Sequence, residues 1–274
     1  MSETELSSRW NFQLTARGAL NAAAQLWFVV AIIGQWIFAL YIVGLYGRLT
    51  LQGGMPAWAN PNVPSGYVPG DDMGNIAAAI HIFLAIIIHG GGPLQLIPQV
   101  RNHFPTFHHW NGRVFISAVL ATSITGLHLV WVRESEIGLL EAISNTIDAA
   151  LILFFAAMAL RAAIARDIRT HRRWALRLFL VASAVWFVRL GIYQGIYLTR
   201  LLDIEFRPIA ESFFAFWHVG KLLIPLGILE LYLRAQDRGG VRGRLAAAIL
   251  LFVATIATGL GIYAATTISW LPYH

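Results

Sequence analysis

The sequence predicts an all-α integral membrane protein: one domain of seven transmembrane helices, with the second to fifth forming a central four-helix unit. Three observations predict it. Of 274 residues, 57% are hydrophobic and 12% charged, about half the roughly one-quarter charged share of globular chains. Mean hydropathy is +0.62, too apolar for a fold whose whole surface meets water. Apolar runs of about 20 residues, the length a bilayer core demands, recur seven times along the chain. The runs are continuous, whereas a membrane barrel strand needs alternation. Cysteine is absent, which excludes disulfides, iron–sulfur clusters and thiol chemistry.

The spans fall at 26–46, 75–96, 112–131, 144–165, 174–198, 212–233 and 245–268. The first is too long for a signal-peptide core and no small-x-small cleavage site follows it, so it is expected to stay as an anchor. In the second, Gly90-Gly91-Gly92-Pro93 combines minimal side chains with a missing amide and should loosen or kink the helix. The third and fifth open on similar segments. His108-His109-Trp110-Asn111-Gly112-Arg113 precedes one, and His171-Arg172-Arg173-Trp174-Ala175-Leu176-Arg177 the other, suggesting two related hairpins. Pro225 is expected to kink the sixth span. Trp27, Trp110, Trp131, Trp174 and Trp270 fall near span ends, as an interfacial belt would, while Trp186 and Trp217 lie deeper. The long Gly- and Pro-rich stretch 48–74 ends in Asp71 and Asp72. A lid or a docking surface for a protein partner stands beside a passive linker as its reading.

Basic residues set the expected orientation. Fourteen Lys and Arg lie at one membrane face: Arg9, Arg17, Arg101, Arg113, six within 161–177 and four within 234–244. Four lie at the other: Arg48, Arg133, Arg200 and Arg207. Basic loops stay cytoplasmic, so a multi-pass protein of the inner membrane is expected, N-terminus inside and C-terminus outside. The pI near 10.1 then reflects topology and contact with anionic lipid; no nucleic-acid partner is implied.

Ionisable groups inside spans are costly and usually face the bundle interior. At about 1.5 Å per residue, His81, His128 and His218 share a similar outer depth with Arg189 and Asp148. Lys221 follows His218 by one turn. Asp148 or Glu211 is the expected partner of Arg189, and Glu230 is expected to snorkel toward Arg234. A second group marks the inner face. His108 and His109 immediately precede the third span, His171 precedes the fifth, Arg113 and Arg177 follow, and His89 lies deeper. His103 and His274 are read as passive.

These residues carry a resemblance. His81, Gly92-Pro93-Leu94-Gln95, Arg101, His108 with Gly112-Arg113, and His171-Arg172-Arg173-Trp174 with Arg177 and Arg189 resemble a bacterial integral membrane family, domain-of-unknown-function family 2306, over roughly residues 75–198. The resemblance implies a membrane fold and this set of His, Gly and Arg positions, with no particular reaction. The chain departs from the usual family pattern at His109, where Arg is usual, and at Phe115, where an aromatic hydroxyl is usual.

Three functions suit the residues. In the first, two imidazoles at equal depth hold b-type haem, or a His and a carboxylate serve a quinone, and Arg meets the ligand's carboxylates. His108 and His171 with Arg113 and Arg177 supply this on the inside; His81 with His128 or His218, plus Arg189, supplies it outside. In the second, His81, His128 and His218, with Asp148 behind them, hold a metal ion in a membrane enzyme. In the third the chain is an accessory subunit or small-solute carrier, its His and Arg groups binding lipid phosphates or packing.

Overall fold

A computed structural model describes residues 3–60, 63, 66–133 and 138–271; His274 lies outside the described residues. Every regular element among the described residues is helical. α1 (Glu3–Ile42) passes through a π-helical turn (Val43–Gly47) into α2 (Arg48–Gly53). α3 (Asp72–Gly91) leads through a 3-10 turn (Pro93–Leu96) to α4 (Pro98–His103), α5 (Pro105–Trp131) and α6 (Leu139–Ile164). α7 (Ile168–Ala182), α8 (Ala184–Leu201), α9 (Ala210–Arg238) and α10 (Val241–Ala265) complete the bundle. Six stretches are long and apolar enough to cross a membrane, and the α7–α8 pair makes a seventh if its two limbs, bent by 50°, count as one crossing. That matches the expected class and number of spans.

Several boundaries differ from the sequence reading, for local reasons. The first span extends over Gln13–Gly53, because no proline breaks it before Pro56. It takes Arg17 and Arg48 into the helix. Pro105 opens α5 seven residues before the apolar run, since proline fits the first turn, where no intrahelical amide bond is needed. Asp167 caps α7 by accepting from the Thr170 amide at 3.0 Å. His108, His109 and His171 therefore stand on the opening turns of α5 and α7 rather than before them.

The fifth span is an elbow, not the single helix expected over 174–198. Ser183 separates its limbs. The Ser183 hydroxyl donates to the Phe179 carbonyl at 2.8 Å and accepts from Gln35 Nε2 at 3.0 Å. Back-bonding of this kind competes with the helix ladder and bends helices. The Gly-Pro break behaves as expected: α3 stops at Gly91, and Pro93 starts the tighter turn.

α1 packs along α10, α3 against α5, and α6 against α7. α3, α5, α6 and α7 thus follow one another in sequence order. The elbow sends α8 to α10, and α9 touches α6, α7, α8 and α10. One core gathers Phe38, Tyr41, Trp186 and Trp270; another gathers Phe115, Val119, Phe155 and Val181. Trp270 is buried against Phe38 and Tyr41, so it belongs to the core rather than to an interfacial belt. Trp110 and Trp131 are exposed, as a belt requires. Leu40, Ile124, Ile164, Leu223 and Ile249 present exposed apolar surface, the pattern of a lipid-facing wall.

The described residues of the 48–74 stretch are held by specific contacts. Trp58 buries itself edge-on against Tyr46 at 5.1 Å and donates to Thr50 Oγ1 at 3.0 Å. Arg133 clamps the far side, meeting Asp71 at 3.1 Å, the Gly66 carbonyl at 2.8 Å and Asn75 Oδ1 at 3.0 Å. This is the Trp58 end of the molecule; the opposite end bears His108 and His171.

Candidate functional site

A cavity of about 1060 Å³ opens at the His108 end and reaches into the bundle. Its mouth is lined by His108, His109, Arg101, Arg113, His171 and Arg172. Deeper walls are apolar and come from both limbs of the elbow, including Leu176, Phe179, Leu180, Phe187 and Leu190. Gln194 and Trp217 close the deep end, and α1 and α10 add Trp27, Phe28 and Thr258. The result is a cationic, imidazole-rich head region over a long apolar body.

Local structure sets the head groups. His171 Nδ1 lies 2.9 Å from the Ala159 carbonyl; that oxygen only accepts, so Nδ1 carries a proton, and in the neutral ring the lone pair is on Nε2. Fixing one ring nitrogen to a carbonyl is how proteins orient a histidine that exchanges protons or binds a metal. His108 Nδ1 is buried without a hydrogen-bond partner among the described residues. Arg113 lies over the Trp110 ring at 5.0 Å and Arg177 over Trp174 at 4.8 Å. The two segments that resemble each other in sequence thus adopt the same cation–π arrangement three residues apart. Their arginines then diverge. Arg113 lines the cavity, whereas Arg177 is taken by Glu230 at 2.6 Å. Glu230 accordingly pairs across helices instead of reaching Arg234.

The outer-depth residues are held by separate neighbours. His81 Nδ1 donates to the Thr122 carbonyl at 3.1 Å, on α5. His218 Nε2 lies 3.6 Å from Glu141, on α6. Lys221 donates to Asn145 Oδ1. His128 accepts only helix-terminal amides, through its carbonyl. Among the described residues, no three His, Asp or Glu side chains come together in a group able to hold a metal ion. His81, His128, His218 and Asp148 are thus not gathered into one site. Arg189 stacks on Phe38 at 5.1 Å and makes no ion pair with Asp148, Glu211 or any other described carboxylate. His89 is fully buried, edge-on to Phe38 at 5.1 Å, with both ring nitrogens lacking a partner among the described residues.

Sequence reasoning passed over Gln25 and Gln194 and read Gln95 only within the family signature; all three stand in the cavity wall. An amide inside an apolar span was the available signal.

No curated protein and no solved structure matches the chain. A family match does, and it runs over residues 78–228, past the end of the 75–198 segment that the motifs cover. It takes in His81, His108, His171, Arg113, Arg177 and Arg189 together with the helices that carry them. The chain therefore belongs to the family described as predicted membrane protein, domain of unknown function 2306.

Proposed function

We propose that the cavity receives a redox-active amphiphile, haem b or a quinone, and that the protein moves electrons within the membrane. The observation that carries this is the pairing of His171 Nε2, left free by the Ala159 bond, with an apolar chamber of about 1060 Å³ behind it. Sites for drug-sized ligands span about 300–1,000 Å³, so the chamber suits a larger, elongated guest. His108 and His171 would receive the polar head or iron. Arg113 and Arg101 would meet carboxylate or carbonyl oxygens, and Phe179, Phe187 and Leu190 would enclose the apolar body. Haem or quinone, when bound, supplies the electron carrier; the residues orient it, exclude water and hold a proton at an imidazole.

The residues fit both guests, because both need an imidazole at a polar head and apolar walls beyond it. The distribution of arginines supports a cytoplasmic His108 end in an inner membrane, with lipid around the bundle. The 48–74 stretch, held by Arg133, would offer a preformed outer surface to a protein partner.

Detergent-purified protein titrated with haemin, and separately with a short-chain quinone, tests the reading. Saturable one-to-one binding of one of them, weakened in both His108→Ala and His171→Ala, is expected. Binding of neither, or binding untouched by both substitutions, overturns it.

A further inference from the structure

We propose that α6 and α9 form a proton-loading site at Asp148, reached from water at the Trp58 end through Glu141 and His218. It stands on observations independent of the cavity.

Both helices begin at the Trp58 end, so successive turns of each face one another. Glu141, Asn145 and Asp148 occupy positions i, i+4 and i+7 of α6, one stripe of a helix. His218 and Lys221 are one turn apart on α9. The Ser144 hydroxyl donates to the His218 carbonyl at 2.5 Å, which ties the two helices together at this level. Glu141 is about one-third exposed, at 32%, and meets His218 Nε2 at 3.6 Å; the His218 side chain is only 16% exposed. The cluster thus runs from a wet carboxylate to a shielded imidazole and on into the bundle. Lys221 is 3% exposed. The described residues of α5, α7 and α8 place no further ion pair on the cluster.

The arrangement at its deep end is not that of a structural ion pair. Lys221 donates a hydrogen bond to the neutral amide oxygen of Asn145. Asp148, one turn further on the same stripe, keeps a buried Oδ1 with no hydrogen-bond partner among the described residues. A shielded oxygen of this kind forfeits its hydration, a real cost to stability, and orphaned groups of this kind call for an explanation. Carboxylates and histidines in series within spans mark proton routes. Lys221 has a flexible four-carbon stem and two acceptors about one turn apart. On Asn145 it leaves Asp148 free to hold a proton; on Asp148 it balances the carboxylate after that proton leaves.

The transfer balances without any co-reactant. Glu141 takes a proton from water. Its O–H bond breaks as an N–H bond forms at His218 Nε2, restoring the Glu141 carboxylate. Rotation of the protonated ring then turns Nε2 from Glu141 toward the interior, its N–H bond breaks as an O–H bond forms at Asp148, and His218 is neutral again.

Infrared difference spectroscopy on the full-length protein in vesicles, after a jump from alkaline to acid buffer, tests this. The expected signal is the C=O stretch of a protonated carboxyl shielded from water, shifting when the chain is grown with isotope-labelled aspartate. Asp148→Asn should abolish it, and Glu141→Gln should slow its rise by about tenfold or more, a change of about 1.4 kcal/mol in barrier. A band that ignores the aspartate label, survives Asp148→Asn or rises at an unchanged rate in Glu141→Gln overturns the proposal. The labelling result needs only the wild-type chain, so misfolding of a variant leaves the test decisive.

Discussion

His171, on the opening turn of α7, is bonded through Nδ1 to the carbonyl oxygen of Ala159, near the end of α6, at 2.9 Å. A short turn joins the two helices, with Arg166 at φ 56°, and folds one back against the other. The ring is thereby oriented by backbone alone, with no side chain needed behind it.

His171→Ala should weaken binding of haemin or quinone by at least about tenfold, or 1.4 kcal/mol, while leaving the thermal midpoint nearly unchanged, because the ring lies at the cavity mouth. A spectroscopic titration beside a melting curve checks both halves. A large loss of stability with unaltered affinity would assign the residue to packing.

Gly191→Ala should damage the deep end. A Cβ there would stand 2.0 Å from Trp217 Cε2, so the indole must move and lose its 3.2 Å bond to the Phe187 carbonyl. Overpacking of this kind costs about 1–3 kcal/mol. Lower thermal stability is expected together with reduced ligand capacity, and Trp fluorescence should report the displaced ring.

Arg133→Met should release the Trp58 end without unfolding the bundle. The guanidinium side chain is 9% exposed and Asp71 is 32% exposed, so the pair is partly screened; its loss, with the bonds to Gly66 and Asn75, is worth about 1–3 kcal/mol. Limited proteolysis should cut within 54–74 faster than in wild type, while the helical circular-dichroism signal holds. Equal cutting rates would refute the clamp.

The cap of α7 should respond to acid. Hydrogen bonds from the Thr170 backbone and then its side chain, with Arg169 nearby, hold the Asp167 carboxyl below its usual range. A depressed carboxylate pKa stabilises the fold above the unfolded-state value and loses that contribution as pH falls through the folded one. The protection factor of the Thr170 amide, its exchange rate measured against the intrinsic rate at each pH, should therefore be high near neutrality and fall in acid. Asp167→Ala should abolish this pH dependence, whereas Asp167→Asn, still an acceptor, should retain most of the protection.

Much of the architecture was legible because membrane spans are written in composition. Seven apolar runs became six long helices and one bent pair, and Gly90 to Pro93 ended α3 where minimal side chains and a missing amide predict. Helix starts were misjudged where proline or aspartate begins a helix in polar sequence, as at Pro105 and Asp167. The elbow was hidden, since one Ser within an apolar run does not announce a bend, and the Gln35 amide that bonds Ser183 comes from 148 positions away. Depth along the sequence found the mouth residues His108, His171 and Arg113, whose helices open at the same end. It did not gather His81, His128, His218 and Asp148 into a group able to hold a metal ion among the described residues, because equal depth says nothing about azimuth: His81 turns to Thr122 and His218 to Glu141. Arg177 shows the same gap: Glu230 claims it from another helix.

Both limbs of the α7–α8 elbow line the chamber. A straight rod crossing at that position would sweep its side chains along one line and leave less room between them. The capacity to hold a guest is thus written partly at Ser183 and Gln35, which never touch the void. Substitutions at such joints should therefore change the volume of the chamber although they lie remote from its walls.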